Sequence, residues 1–157
     1  MSNILMGFPN RIPESTLSGG SWESALPLNN VKDRRTLKLA RTTDVTPSAT
    51  TFDIDLSVAR NVGVFALRRH NLSIDSRVRL IGANDSGFTD IVFNGELENV
   101  YESVYNSLDL DWSDDNFWTG DLTQEEINRF VTLYLFILPV ERKARYWRVE
   151  MSDISNP

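Results

Sequence analysis

The chain has no cysteine and only one histidine, His70, among its 157 residues. The lack of cysteine excludes a disulfide framework and a thiolate metal site, although it does not fix the cellular compartment. A zinc site would need further nitrogen or sulfur ligands, which are missing. The longest apolar run, residues 133–140, is far too short to span a bilayer.

Motifs for catalysis and nucleotide binding are also missing. The chain has no G-x-S-x-G nucleophile elbow, no Walker A sequence and no Rossmann glycine pattern. Asp53 and Asp55 project to one side of a predicted strand, but that side is expected to face solvent with no evident cleft. His70 and Asn71 follow a predicted strand, and we expect them to hold a loop by hydrogen bonds. We therefore predict no catalytic residue, no cofactor and no enzyme activity.

Basic residues are absent from a long acidic segment. Residues 80–128 contain twelve Asp or Glu and no Lys or Arg, within a chain of net charge −6. A short basic stretch contains Lys32, Arg34, Arg35, Lys38 and Arg41. Nucleic-acid binding is disfavoured because the acidic segment would repel phosphates. We predict that the basic stretch contributes to assembly with an acidic protein surface; the alternative for any single charge is a solvated surface.

The N-terminal sequence shows no targeting signal. Residues 1–9 carry no basic segment and no long apolar stretch, so we expect no signal peptide, synthesis in a cytoplasm and no membrane insertion. Residues 1–30 are rich in Gly, Pro, Ser and Asn, which predicts an irregular N-terminal arm. Its apolar residues are too many for a free tail, so they pack on their own domain or on a neighbour. Residues 31–157 are predicted to form the main domain.

Strand patterns dominate the rest of the chain. Apolar and polar residues alternate over residues 51–56, 77–80 and 145–151, whereas residues 62–67 and 131–138 are apolar on both sides. Pro139 is expected to end the second apolar strand. These patterns predict an all-β, antiparallel β-sandwich of the jelly-roll type. The predicted core consists of Phe52, Ile54, Leu56, Val64, Phe65, Leu67, Leu80, Leu135, Ile137, Trp147 and Val149.

Two local signals add detail to this picture. Thr123 and Glu126 form a capping-box sequence, which predicts one short helix ending near Phe130. Residues 84–87 read Asn-Asp-Ser-Gly, which predicts a turn with Gly87 available for a positive φ angle.

One acidic and aromatic loop, residues 109–118, is the best candidate for recognition. The EF-hand calcium pattern fails because Asp114 and Gly120 stand where it needs Gly and Glu. We therefore predict no metal ligands, although another kind of calcium site stays open. Aromatic rings beside carboxylates suit stacking on a sugar, anchoring of a protein interface, or packing on the loop's own domain. The candidates for ligand or partner binding are Trp112, Asp114, Asp115, Asn116, Phe117 and Trp118.

Several segments resemble the discoidin, or galactose-binding-like, family. They are residues 52–57, 62–67, 83–88 and 144–150, the last reading Ala-Arg-Tyr-Trp-Arg-Val-Glu. Ser57 stands where the family usually has Gly. The resemblance covers about residues 30–151 and implies a β-sandwich that binds or assembles.

A narrower resemblance is to bacteriophage and prophage tail proteins, carried by residues 17–22, 26–30, 40–43, 70–73 and 144–148. It implies a structural component of a tail or tail tip, located in the virion and made in the host cytoplasm, which contacts other tail proteins and copies of itself. It also implies further chain after residue 157. The alternative function is a carbohydrate-binding module that recognises a bacterial surface glycan.

Overall fold

The computed structural model describes residues 9–33, 38–101, 105, 108, 110–114, 116–129 and 131–153. The strands are β1 (Thr16–Ser18), β2 (Phe52–Arg68), β3 (Arg77–Ala83), β4 (Ile91–Asn94), β5 (Glu98–Asn99) and β6 (Leu133–Ser152). Two short helices, α1 (Pro47–Thr50) and α2 (Gln124–Ile127), and two 3₁₀ turns, Ile12–Glu14 and Leu28–Lys32, connect them. No helix in these described ranges is both long and apolar enough to cross a membrane.

All strand pairs are antiparallel, and the sheet order is β1-β2-β6-β3-β4, with β5 paired to β3. The long strands β2 and β6 carry register shifts between Asp55 and Arg60 and between Val62 and Val64. Such irregularities bend strands. The bent sheet folds over its own face, so that Phe93 of β4 packs against Phe136 of β6 with ring centroids 6.0 Å apart. The predicted antiparallel β-sandwich is confirmed.

The predicted core is correct for most of its residues. Phe52, Ile54, Leu56, Leu80, Trp147 and Val149 are buried. Val64, Phe65 and Leu67 are only half-buried. The start of β2 therefore has the predicted alternation, with Asp53 and Asp55 on its outer side.

The prediction for the first part of β6 is wrong. Leu135 and Ile137 are exposed, whereas their neighbours Tyr134, Phe136 and Leu138 are buried in the core. Successive side chains of a strand point to opposite faces, and this run is apolar on both. The sequence pattern therefore could not indicate which set of residues faces the core.

Pro139 does not end the strand, contrary to the prediction. Strand β6 continues to Ser152, and Pro139 lies where its register against β2 shifts, between the pairs Val64–Ile137 and Val62–Arg142. A bulge tolerates proline because the ladder hydrogen bond is already interrupted there. The segment 141–143, predicted as a connection, belongs to the same strand.

The turn before β4 uses a different residue for its positive φ than predicted. Phe88, not Gly87, has the positive angle, φ 55°. The Asp85 carboxylate accepts hydrogen bonds from the backbone N–H groups of Gly87, Thr89 and Asp90. These bonds lower the pKa of Asp85. They also fix the backbone of the turn, because three of its N–H groups point to one carboxylate.

The short-helix prediction is correct at its start. Thr123 and Glu126 form the capping box at the beginning of α2. The helix ends at Ile127, earlier than predicted, and Phe130 lies outside the described residues. Sequence patterns missed α1, which has Pro47 in its first turn, a position that favours proline.

Described residues of the N-terminal arm pack on their own domain. Strand β1 pairs with Asp53–Asp55 of β2, and Leu28 is buried in the core. Ile12, Leu17 and Trp22 pack against the same core. The division of the chain at residue 30 stays a prediction.

Ser57 provides a test of the bend in β2. Its φ is +66°, a region that costs an L-residue about 1–2 kcal/mol, and its backbone N–H donates to Asp55 Oδ1 at 2.7 Å. Glycine keeps that N–H and removes the Cβ penalty, but its flexible unfolded state costs about 0.5–1 kcal/mol. Ser57→Gly should therefore raise the free energy of unfolding by about 0.5–1 kcal/mol in urea titrations.

The matched control is Ser18→Gly in β1, where the backbone has no positive φ. It should lower the free energy of unfolding by about 0.5–1 kcal/mol. Equal destabilisation by both changes would contradict the assigned backbone of Ser57.

Candidate functional site

The acidic and aromatic loop is folded by its own side chains. We call the described residues 110–114 and 116–121 the tryptophan loop. Asp114 Oδ2 accepts a hydrogen bond from the Asp111 N–H at 2.8 Å, and Asp111 Oδ1 accepts from the N–H and the hydroxyl of Ser113. The two carboxylates thus hold a compact turn around Trp112.

The second half of the tryptophan loop is fixed by Asn116. Its carbonyl accepts from the Gly120 N–H at 2.8 Å, and its side-chain amide donates to the Asp121 carbonyl at 2.6 Å. Gly120 is buried with φ +68°, where a side chain would be strained. The Gly120 carbonyl accepts from the Tyr105 N–H, which anchors the base of the loop.

Tyr105 also connects this base to helix α2. Its hydroxyl donates to Glu126 Oε1 at 2.6 Å. That bond is the largest cause lowering the pKa of Glu126 and raising the pKa of Tyr105. Glu126 in turn accepts from the N–H of Thr123, so the loop leads into a capped helix.

The tryptophan side chains of this loop face solvent. Trp112 is 80% exposed and Trp118 is 88% exposed. Phe117 is half-buried and meets Trp118 edge to face, with ring centroids 5.1 Å apart. The structure thus excludes packing of either indole inside its own sandwich. It leaves open the two other interpretations, sugar stacking and a protein interface. Asp115 and Asp109 lie outside the described residues.

No grouped metal ligands occur in the part of the chain that the structure describes. Across the described ranges, no cluster of three His, Asp or Glu side chains could hold a metal ion. The absence of a metal and of a cofactor stays a prediction.

Asp53 and Asp55 form ion pairs rather than an acid–base pair. Asp53 accepts two hydrogen bonds from Arg148, at 2.7 and 2.9 Å, and Asp55 accepts two from Arg145, at 2.8 and 2.9 Å. The Arg145 bonds hold the pKa of Asp55 below its usual value. Both carboxylates are therefore committed to neighbouring arginines, which leaves neither available as a general base.

The sequence analysis missed a groove beside Asp53. Its volume is about 590 Å³, and it is lined by Gly19, Gly20, Pro47, Ser48, Thr51, Asp53, Leu97, Arg148, Glu150, Met151 and Ser152. The expectation of no cleft on this side is wrong. The sequence did contain a signal for this groove: the acidic residues Asp53 and Asp55 of β2 have the arginines Arg145 and Arg148 of β6 as partners.

Phe88 supports the ion pair at this groove. Its ring lies under the Arg148 guanidinium, 4.1 Å from Cζ to the centroid, a geometry that attracts the cation to the ring face. The Asp85 turn described above therefore positions the aromatic partner of Arg148, while Asp53 accepts hydrogen bonds from Nε and Nη2 of the same guanidinium.

His70 lies in a second, smaller pocket of about 320 Å³ beside α2. Its carbonyl accepts a hydrogen bond from the Thr132 hydroxyl, and its ring contacts Tyr101 at 6.0 Å between centroids. Burial lowers the pKa of His70, so the ring is neutral at pH 7. The backbone, rather than the imidazole, makes the predicted loop-holding hydrogen bond.

The basic stretch is partly neutralised within the chain. Lys38 pairs with Asp33 at 2.9 Å and Arg41 with Glu23 at 3.5 Å, and Lys32 ends a 3₁₀ turn. Arg34 and Arg35 lie outside the described residues. A role of the stretch in assembly stays a prediction.

Comparisons of the fold identify similar solved structures. A family 32 carbohydrate-binding module from Clostridium perfringens NanJ, in complex with galactose, has a TM-score of 0.55 and 16% identity, covering 92% of this chain and 88% of that chain. CpGH89CBM32-4 from C. perfringens, in complex with GlcNAc-α-1,4-galactose, has a TM-score of 0.52 and 17% identity, covering 100% and 88%. CBM32-1 from a family 31 glycoside hydrolase of C. perfringens has a TM-score of 0.51 and 18% identity, covering 92% of this chain and 87% of that chain.

At these identities the similarity establishes the discoidin-like β-sandwich fold and not a ligand. No family model matches the chain, and no curated protein sequence matches it. None of these comparisons supports the phage tail resemblance.

Proposed function

We propose that this domain binds a glycan through the tryptophan loop. The observation that carries the proposal is the pair of exposed indoles, 80% and 88% accessible, on a loop held in place by its own carboxylates. Large aromatic surfaces are normally buried because each offers about 150–250 Å² of contact area. Two such rings displayed on an anchored loop provide flat faces on which a pyranose can stack.

Polar groups around the rings suit the hydroxyls of a sugar. The exposed carboxylates of Asp111 and Asp114 and the hydroxyl of Ser113 stand beside Trp112. Carboxylates accept hydrogen bonds, whereas sugar hydroxyls can donate them. Recognition sites of this kind combine apolar surfaces with a few polar groups that fix the orientation.

The charge of the loop favours a neutral glycan. Residues 80–128 carry no Lys or Arg, so an acidic sugar would meet carboxylates and no cation on this loop. The similar C. perfringens modules were solved with galactose and with GlcNAc-α-1,4-galactose, which are both uncharged sugars. We therefore expect neutral oligosaccharides to bind and their sialylated or uronic-acid counterparts to bind less.

The test is binding of the wild-type protein and two variants to an array of neutral and acidic glycans. Trp112→Ala and Trp118→Ala should each weaken binding at least about tenfold, equivalent to about 1.4 kcal/mol, without changing the melting temperature. Leu108→Ala is the matched control, because Leu108 is a large apolar side chain that is 89% exposed but offers no ring. A wild-type protein that binds no glycan, or tryptophan variants that bind as it does, would refute the proposal.

A structural role in a phage tail is the second candidate function, and it stays a prediction. The virion location and the lack of enzyme activity also stay predictions. One observation favours an assembly role in general. The outer face of β6 is apolar and exposed, which is typical of surfaces that contact proteins.

A further inference from the structure

The outer face of the β2–β6 pair is an exposed apolar surface. Leu133, Leu135 and Ile137 are 59%, 45% and 52% exposed. Their register partners on β2 are Arg68, Ala66 and Val64, so the aliphatic side chains of both strands lie together on this face. We call Leu133, Leu135, Ile137, Val64 and Ala66 the apolar stripe.

Basic residues lie at the ends of the apolar stripe. Arg68 pairs with Leu133 at one end, and Lys143 pairs with Asn61 beyond the register shift at the other. Both are exposed, and neither belongs to an ion pair within the described ranges. Glu141 is exposed beside Lys143, whereas Arg142 pairs with Val62, which packs against the core, and so lies on the opposite face. The stripe thus has a net basic border in a chain whose net charge is −6.

The same chain offers a surface of opposite charge. The tryptophan loop is apolar at Trp112 and Trp118 and acidic at Asp111 and Asp114, and all four side chains are exposed. Tryptophan is among the side chains that contribute most to protein interfaces. Aromatic rings on aliphatic side chains, with carboxylates against Arg68 and Lys143, give both apolar contact and charge complementarity.

The two surfaces do not cover each other within one chain, because both are exposed. Their contact therefore has to join different copies. We propose that the tryptophan loop of one copy docks on the apolar stripe of a second copy, head to tail. Such a heterologous contact leaves one loop and one stripe free at the ends, so assembly grows with concentration unless the copies close into a ring.

This inference adds a level of control to the proposed glycan site, and that part rests on the proposed function. A loop docked on a second copy cannot also stack on a sugar. Glycan binding and self-association should therefore compete, and a saturating glycan ligand should dissociate the copies.

The first experiment measures the mass of the wild-type protein by analytical ultracentrifugation from micromolar to millimolar concentration. The average mass should rise with concentration, and it should rise less at high salt because exposed charges are screened within about 8 Å at physiological ionic strength. A wild-type protein that stays monomeric at all concentrations overturns the inference.

The second experiment mixes two variants that each lack one surface. Leu135→Glu places a carboxylate on the stripe, where it would face the acidic loop of the next copy. Trp112→Ser combined with Trp118→Ser removes the rings of the loop. Each variant alone should associate at least about tenfold more weakly than wild type, whereas the mixture should form a one-to-one heterodimer, since one intact stripe meets one intact loop.

We expect both variants to fold, because all three side chains are exposed. Circular dichroism and melting curves check this. If the double tryptophan variant alone still dimerises, the stripes pack against each other and the inference is wrong. If the mixture does not associate although the wild type does, the two surfaces are not partners.

The glycan array separates this inference from the proposed function. Leu135→Glu should retain full glycan binding. A wild-type protein that binds glycan but does not self-associate would refute only the docking. A wild-type protein that self-associates but binds no glycan would refute only the proposed function.

Discussion

Trp147→Ala is expected to lower the free energy of unfolding by about 3–5 kcal/mol, the range for truncating a large core aromatic. Trp147 is 3% exposed and pairs across strands with Ile54 and Gly82. The indole lies over Gly82, where a Cβ would stand 2.9 Å from its Cζ3 atom. Because Gly82 has no side chain, it cannot fill the cavity that the truncation leaves. Urea titration followed by far-UV circular dichroism measures the loss.

Trp147→Phe is the control for this change. The indole Nε1 has no hydrogen-bond partner among the described residues, so the substitution removes volume but no hydrogen bond. It should cost less than about 2 kcal/mol, as for a partly volume-conserving change. A cost below about 1 kcal/mol for Trp147→Ala would contradict the position of this ring at the centre of the sandwich.

Gly20→Ala is expected to lower the free energy of unfolding by about 2–5 kcal/mol. Gly20 has φ +69°, which costs an L-residue about 1–2 kcal/mol. A Cβ there would also stand 2.6 Å from the Ala49 carbonyl oxygen and 2.6 Å from Trp22 Nε1. Trp22 packs edge to face on Phe52 at 6.0 Å. The added methyl group would therefore push the N-terminal arm away from the sandwich, at a further cost of about 1–3 kcal/mol.

Gly63→Ala is the matched glycine control. Its backbone has no positive φ, and an added Cβ would meet only the flexible Glu141 side chain, at 3.2 Å from Cγ. Its effect should lie within about 0.5 kcal/mol. If Gly20→Ala were equally mild in thermal or urea unfolding, the close packing of the arm would be wrong.

Sequence patterns predicted the parts of the fold where one face is polar. Phe52, Ile54 and Leu56 alternate with two aspartates, so their burial could be read directly from the sequence. The run before Pro139 is apolar on both faces, so the choice of Phe136 rather than Ile137 for the core depends on the tertiary contact with Phe93. Tertiary packing also decides how β6 continues through its register shift.

The candidate site was only partly predictable for a similar reason. Composition indicated the tryptophan loop, because aromatic and acidic residues are adjacent in sequence. Exposure of Trp112 and Trp118 could not be read from the sequence, since the same residues suit a loop packed on its own domain. The groove beside Asp53 joins segments that are nearly 100 residues apart, such as Asp53 and Arg148. Strand pairing was needed to find it.

The most direct test of glycan binding at the tryptophan loop is a titration followed through the indole N–H signals in ¹H–¹⁵N NMR spectra. The chain has four tryptophans, so Trp22 and Trp147 serve as internal controls. Trp22 Nε1 donates to the Gly19 carbonyl at 2.9 Å, and Trp147 is buried. Addition of a neutral oligosaccharide that binds the array should shift the signals of Trp112 and Trp118 and leave the other two in place. Unchanged Trp112 and Trp118 signals at saturating glycan would contradict glycan recognition by this loop.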